Sequence, residues 1–306
     1  MDLGTSWHRS RIGLGYTYNQ PSALLLQIDR PGRIRVYQGS FHVATLSDGK
    51  IEGTGGIDFH LSLHEPCSRG LDAMREHITP PNFEEPREYE GFEFIAIWNT
   101  FAAIANSISI SGHGGALIIS PIGDTPAIES LGVKYEQSSP ALRDAFVSFM
   151  NARHVVGDMI ARKEDRQLVL DEKIAQAELA MLQTYDILVE ATRFVAQLAR
   201  CDGAILISED LTLLGFGAEI KAMLREAAQV IDVEDNYDEF NKTIKYLNVD
   251  QFGMRHRSAI KLVSQEPKCR VLVVSQDGPI SAVWAEGGNV AVRRGIGLVN
   301  LNMPWA

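Results

Sequence analysis

A proline-free stretch from residue 141 to residue 200 constrains this chain more than any other feature, because it reads as helix almost throughout. Behind Pro140, the residues Leu142, Ala145, Phe146, Phe149 and Met150 recur at three- and four-residue spacing, the period that gathers apolar groups on one side of a helix. A charged patch at 162–167 interrupts that side. Two helices are therefore expected, one closing at about residue 162 and one over about 168–199, with an exposed turn near Lys163. A coiled coil would need sustained heptads, which the stretch lacks.

On either side of this stretch lies a short apolar run entered through glycine. His113-Gly114-Gly115-Ala116-Leu117-Ile118-Ile119-Ser120 precedes it, and Cys201-Asp202-Gly203-Ala204-Ile205-Leu206-Ile207-Ser208 follows it. Two readings stand: an internal repeat whose first copy lacks the charged groups, or two unrelated buried strands each entered through a small-residue turn. Upstream, apolar runs punctuated by Pro31-Gly32 and Ser47-Asp48-Gly49 predict a β-rich meander from Ala23. Residues 79–89 hold three prolines among charged side chains and predict an exposed connector, and 92–110 predicts a strand followed by a helix. After Arg200 the pattern turns to strand, turn, strand, with Gly215 and Gly217 inside the second run. Residues 221–251, with seven acidic and four basic residues, predict a helix and an acidic loop. A helix follows from about Met254 to Ser264, then strands at 270–275 and 280–285.

The order implies an α/β fold, a mixed sheet flanked by helices. With 306 residues the expectation is two α/β domains joined by a long helical segment: an N-terminal sensor-like domain over 1–139, a connector over 140–167 and a second domain over 168–306. The net charge of −10 argues against broad nucleic-acid binding, which depends on cationic neutralisation of phosphates. The apolar runs read as too short to span a bilayer, no signal-peptide pattern opens the chain, and Cys67, Cys201 and Cys269 are too scattered for a zinc knuckle or a disulfide framework. The expectation is a cytoplasmic protein without a membrane partner.

Two strings carry the chemistry. In Asp202-Gly203-Ala204 a carboxylate stands at the mouth of a strand, beside two residues with almost no side chain. It is able to hold a metal ion or orient a hydroxyl, or simply to cap a turn. Arg255-His256-Arg257 follows Gly253 at a helix start, where backbone N–H groups and the helix dipole already favour anions. The triplet is either a phosphate grip, with a triphosphate as its natural ligand, or a solvated basic patch.

The two strings together, with Leu213-Leu214-Gly215 and Val271-Leu272-Val273-Val274-Ser275, resemble the diadenylate cyclase domain over about residues 185–292. That resemblance implies condensation of two ATP molecules into cyclic di-AMP with release of two pyrophosphates, in a face-to-face homodimer. It implies that Asp202 positions the 3′-hydroxyl with a divalent metal, Mg²⁺ or Mn²⁺. Gly203, Ala204 and Gly215 would shape the nucleotide wall, Arg255, His256 and Arg257 would hold the polyphosphate, and Ser275 would contact a phosphate. The chain departs from the family at Met254, where many members carry threonine, and at Cys201, where a subset carries histidine. Its segment 221–251 is also longer than usual. The alternatives are a catalytically silent nucleotide or cyclic-dinucleotide sensor of the same fold, and a scaffold built on the helical segment.

Overall fold

In the computed structural model the described residues are 24–30, 32–38, 41–47, 49–52, 56–79, 90–124, 130–161, 169–225, 228–233, 245–276 and 280–296. Near the N-terminus, β1 (Leu24–Arg30), β2 (Arg33–Gln38), β3 (Phe41–Ser47) and β4 (Lys50–Glu52) form an antiparallel sheet in chain order. This is the meander that the alternating runs and glycine turns predict.

The remaining elements build one large sheet with helices on both faces. In chain order they are α1 (Gly56–Met74), α2 (Glu90–Ile110), β5 (Gly115–Ser120), β6 (Leu131–Gly132), β7 (Tyr135–Ser139), α3 (Ala141–Ala161) and α4 (Val169–Gln197). Then come β8 (Ala204–Ser208), β9 (Leu213–Ile220), β10 (Val230–Asp232), β11 (Lys245–Leu247), α5 (Met254–Gln265), β12 (Arg270–Val274), β13 (Ile280–Glu286) and β14 (Asn289–Ile296). The strands run β11-β10-β14-β13-β12-β5-β8-β9-β6, with β7 also paired to β9. Two of the neighbouring pairs, β5 with β8 and β10 with β14, are parallel. The chain is thus the expected mixed-sheet α/β fold.

The central strands are apolar at nearly every position because both faces are covered. Alternate residues divide cleanly. Leu117, Ile119, Ile205, Ile207, Leu272 and Val274 join a core with the four long helices α1 to α4. Ala116, Ile118, Leu206, Val271 and Val273 join a second core with Ile260 and Val263 of α5 on the opposite face. A strand's period of two is what sends neighbours to different layers.

Several expectations are corrected. β5, β6 and β7, assigned by sequence to a domain ending at residue 139, pair with β12, β8 and β9, so that boundary does not separate two sheets. Nor is 141–161 a connector: Phe146, Phe149 and Met150 of α3 are buried in the helical-side core, and Phe149 meets Tyr185 of α4 with ring centroids 5.6 Å apart. The two similar runs are adjacent parallel strands of a single sheet, and their pairing register, Leu117 with Ile205 through Ser120 with Ser208, is the register of the sequence match. Residues 90–110 are helix throughout. Although the window 93–110 has the length and mean hydropathy (1.2) of a membrane span, 67% of it is buried inside the protein, between α1, α4 and the sheet. The described part of 221–251 holds β10, β11 and a short 3₁₀ turn (Val249–Gln251) but no α-helix. The turn near Lys163, and residues 80–89 of the connector, lie outside the described residues.

At the end of the sheet where β5 and β8 finish, α1 is seated by an ion pair between a part-exposed arginine and a buried carboxylate. Arg69 donates from Nε and Nη2 to the two carboxylate oxygens of Glu209, at 2.9 and 2.5 Å, and the Glu209 side chain is 1% exposed. A buried carboxylate is tolerated only when paired and hydrogen-bonded in this way. The neighbouring Gly70 permits the approach, since a Cβ there would lie 2.1 Å from the Glu209 carbonyl oxygen. Gly70→Ala is therefore expected to lift α1 from the sheet and cost roughly 1–3 kcal/mol. Urea unfolding measures this, and an unchanged midpoint would contradict the seating.

Candidate functional site

A cleft of about 880 Å³ opens at the other end of the same strands. Because β12 runs antiparallel to β5, and β5 parallel to β8, the start of β5, the start of β8 and the end of β12 share this edge. Asp202, Gly203, Ala204, Arg255, His256 and Ser275 all line the cleft. Two candidates do not. Gly215 lies under β7, where a Cβ would come within 2.5 Å of Val133 Cγ1 and 2.8 Å of the Tyr135 carbonyl oxygen, so its glycine serves strand packing rather than a nucleotide wall. Arg257 is half-buried and turned off the cleft wall, which α5 lines with Met254, Arg255, His256 and Ser258.

Local conformation accounts for the mouth of the cleft. Gly203 has φ of +122°, and a Cβ on it would sit 2.4 Å from the Gly217 carbonyl carbon. The glycine is thus required by the close crossing of β8 and β9, with ligand access a consequence. Asp202, just before it, is exposed and has no ion pair or hydrogen bond among the described residues. Arg255 Nη2 donates weakly to the His113 carbonyl oxygen at 3.4 Å, over Gly114, whose missing Cβ would lie 2.9 Å from Arg255 Nη1. Gly253 caps the start of helix α5 without a side chain, so its first amides point outward unpartnered by side chains.

His256 differs from its neighbours. Its Nε2 is 3.0 Å from Ser281 Oγ, and its ring stacks on Phe252. Burial, and then the Arg294 charge, hold its pKa below the ordinary histidine value. Held below its ordinary value, it favours the uncharged imidazole at neutral pH, so the positive charge at the cleft wall comes from Arg200 and Arg255. As pH falls through about 6.5 the unfolded chain takes up this proton first, so the folded state loses stability in that window.

Sequence reasoning missed Arg200, Glu219 and His113 as wall residues. Arg200 closes the short 3₁₀ turn Leu198–Arg200 immediately before Cys201, and His113 belongs to the first glycine-entered run. The likeness of the two runs was the available signal for His113; nothing in the chain pattern singles out Arg200. Among the described residues no group of three metal-ligating side chains exists. Asp202 alone, or with Glu219, fits a Mg²⁺ that shares its ligands with substrate phosphates, the usual arrangement for that ion, and does not fit an all-protein cage. The Cys201 thiol beside it suits softer metals.

No protein-family model matches the chain, and no curated protein or solved structure matches it. The chemistry of the cleft rests on its own residues.

The three thiols are predicted to separate by reactivity. Burial pushes the Cys67 thiol well above its ordinary range and that of Cys269 up to about 12, whereas Cys201 is half-buried at the cleft wall. Thiolate is the reacting species. A thiol-disulfide reagent should therefore label one cysteine quickly in the native protein, identified as Cys201 by peptide mass spectrometry. Fast labelling of Cys67 or Cys269 would contradict their burial.

Proposed function

We propose that the protein is a diadenylate cyclase, condensing two ATP into cyclic di-AMP and two pyrophosphates between two facing copies of the chain. The observation that carries this reading is the meeting, at one end of the sheet, of an exposed carboxylate, an uncapped helix N-terminus with an arginine beside it, and Ser275, around a cleft of about 880 Å³. A nucleoside triphosphate needs that combination: donors and positive charge for the phosphates, and one carboxylate for the hydroxyl end. The resemblance of Asp202-Gly203-Ala204 and Arg255-His256-Arg257 to the cyclase motifs supports the same assignment, and a cytoplasmic setting is part of the proposal.

In this mechanism Asp202 orients the 3′-hydroxyl of one ATP toward the α-phosphorus of the ATP held by the facing copy. The 3′-oxygen passes its proton to the Asp202 carboxylate, and from there to solvent, and forms the new bond to the α-phosphorus, while the bond from that phosphorus to pyrophosphate breaks and pyrophosphate leaves. The second half repeats the step in the opposite direction and closes the ring. A divalent metal, when bound, would supply charge neutralisation at the phosphates. Arg255 and the α5 amides balance charge on the polyphosphate, and Ser275 offers a hydroxyl to a phosphate oxygen. Alignment and charge neutralisation suffice for phosphoryl chemistry, and no covalent nucleophile is needed. Because one cleft holds one nucleotide, a homodimer is part of the proposal.

A silent sensor is the second reading, favoured by one observation. Met254, at the first position of α5, is 75% exposed at the cleft and offers no hydroxyl to a phosphate. Incubating the protein with ATP and Mg²⁺ or Mn²⁺, with product analysis by mass spectrometry, separates the two. The cyclase reading expects cyclic di-AMP, lost in Asp202→Asn with the fold intact. Arg255→Ala should weaken ATP binding by about 10- to 150-fold, the range of a charge-assisted hydrogen bond. Binding without turnover under both metals would replace the cyclase with the sensor; no nucleotide binding at all would sink both.

A further inference from the structure

Behind the cleft wall, five side chains from separate parts of the fold form one continuous series of contacts. Asp232 of β10, with its side chain 3% exposed, accepts a hydrogen bond from Arg294 Nη2 of β14 at 2.7 Å. The Arg294 guanidinium carbon lies 5.9 Å from the centroid of the Phe252 ring. Phe252, in the turn before α5, stacks on His256 with centroids 5.9 Å apart and planes 26° from parallel. His256 then reaches Ser281 of β13 through Nε2. The series begins in the acidic segment 221–251, passes through the first turn of the helix whose N-terminus faces the cleft, and ends on β13.

Each link has a physical reason. Asp232 is buried, and a buried carboxylate without its partner is costly, so it anchors Arg294 firmly. The anchored guanidinium lies over an aromatic face, a favourable placement for a cation. Phe252, itself buried, limits rotation of the imidazole from one side, and Ser281 fixes its Nε2 from the other. The ring belongs to the residue that follows Arg255, so its attitude sets that of the helix's first turn.

We propose that Arg294, Phe252 and Ser281 are positioning residues that lock His256, and through it the first turn of α5, in the arrangement that meets nucleotide phosphate. Segment 221–251, by supplying Asp232, thereby sets phosphate affinity without lining the described cleft. The inference rests on the nucleotide reading of that cleft. It also gives the ring's charge state a cause: Arg294 approaches from β14, Arg255 and Arg257 flank it on its own helix, and Ser281 and Phe252 are uncharged. Among the described residues no carboxylate pairs with the ring, so a proton on it would stand among cations.

Two measurements on the full chain test this. The first is the titration of His256 by NMR of ¹³C-labelled histidine without nucleotide, assigned with His256→Gln. The second is the affinity for a non-hydrolysable ATP analogue with Mg²⁺, by calorimetry. Arg294→Met keeps the apolar stem and removes the charge; because it would leave the buried Asp232 carboxylate unpaired, it is made in an Asp232→Asn background and compared with that background. The His256 midpoint, below the usual value of about 6.5 in the wild type, should move upward. Analogue binding should weaken about two- to five-fold, the scale of an exposed cation–π contact. Arg294→Lys should restore most of both, and Ser281→Ala should weaken binding while leaving the Arg294 contribution to the titration in place. An unmoved midpoint in Arg294→Met overturns the relay whether or not the analogue binds. A wild-type protein that binds no analogue overturns the nucleotide reading instead, and the titration, read without ligand, tells the two failures apart.

Discussion

The parallel pairing of β5 with β8, buried on both faces at the middle of the sheet, is the constraint from which the rest follows. Parallel neighbours cannot be joined by a tight turn, and the chain must travel back along the sheet before it can enter the second strand. Here the return is made by β6, β7 and the packed pair α3 and α4, whose apolar sides cover one face of the same strands. The long helical stretch is thus the connection that parallel pairing demands. It also brings the two glycine-entered strand starts side by side, and this creates the cleft's edge.

The two ends of these strands treat charge in opposite ways. Where β8 finishes, Glu209 is sealed under α1 and neutralised by Arg69, and Arg270 at the start of β12 reaches Glu65 of the same helix. Where β8 begins, Asp202 is exposed, and Arg200 and Arg255 stand at the cleft wall without ion pairs among the described residues. Paired and buried charges hold elements together, whereas charges left open to solvent at a concave site are available to a ligand. The asymmetry leaves one end open to a ligand and gives the other to the docking of α1.

Much of this was legible in the chain. The meander of β1 to β4, the two helices after Pro140, the helix at Met254 and the strands at 270–274 and 280–286 all follow from local period and glycine or proline punctuation. Six of the eight candidate residues share one cleft, because motifs at strand mouths and helix starts are read from the same local signals that position them. Gly215 was misread for a reason local sequence cannot expose: the atoms its missing side chain avoids belong to Val133 and Tyr135, some eighty residues away in the chain. Residues 92–110 were misread in part because a helix buried on most sides loses the polar stripe that marks amphipathic helices.

By itself the sequence determined the class of fold, the identity of most elements and the chemical character of the two motifs, since each depends on neighbours within a few residues. Only the tertiary structure decided that the two similar runs are partners in one sheet, that 141–161 is core rather than connector, and that His256 is held by Ser281 and Phe252 as an uncharged ring. These depend on contacts between distant segments and on burial, which sets the cost of charge. Local pattern carries neither.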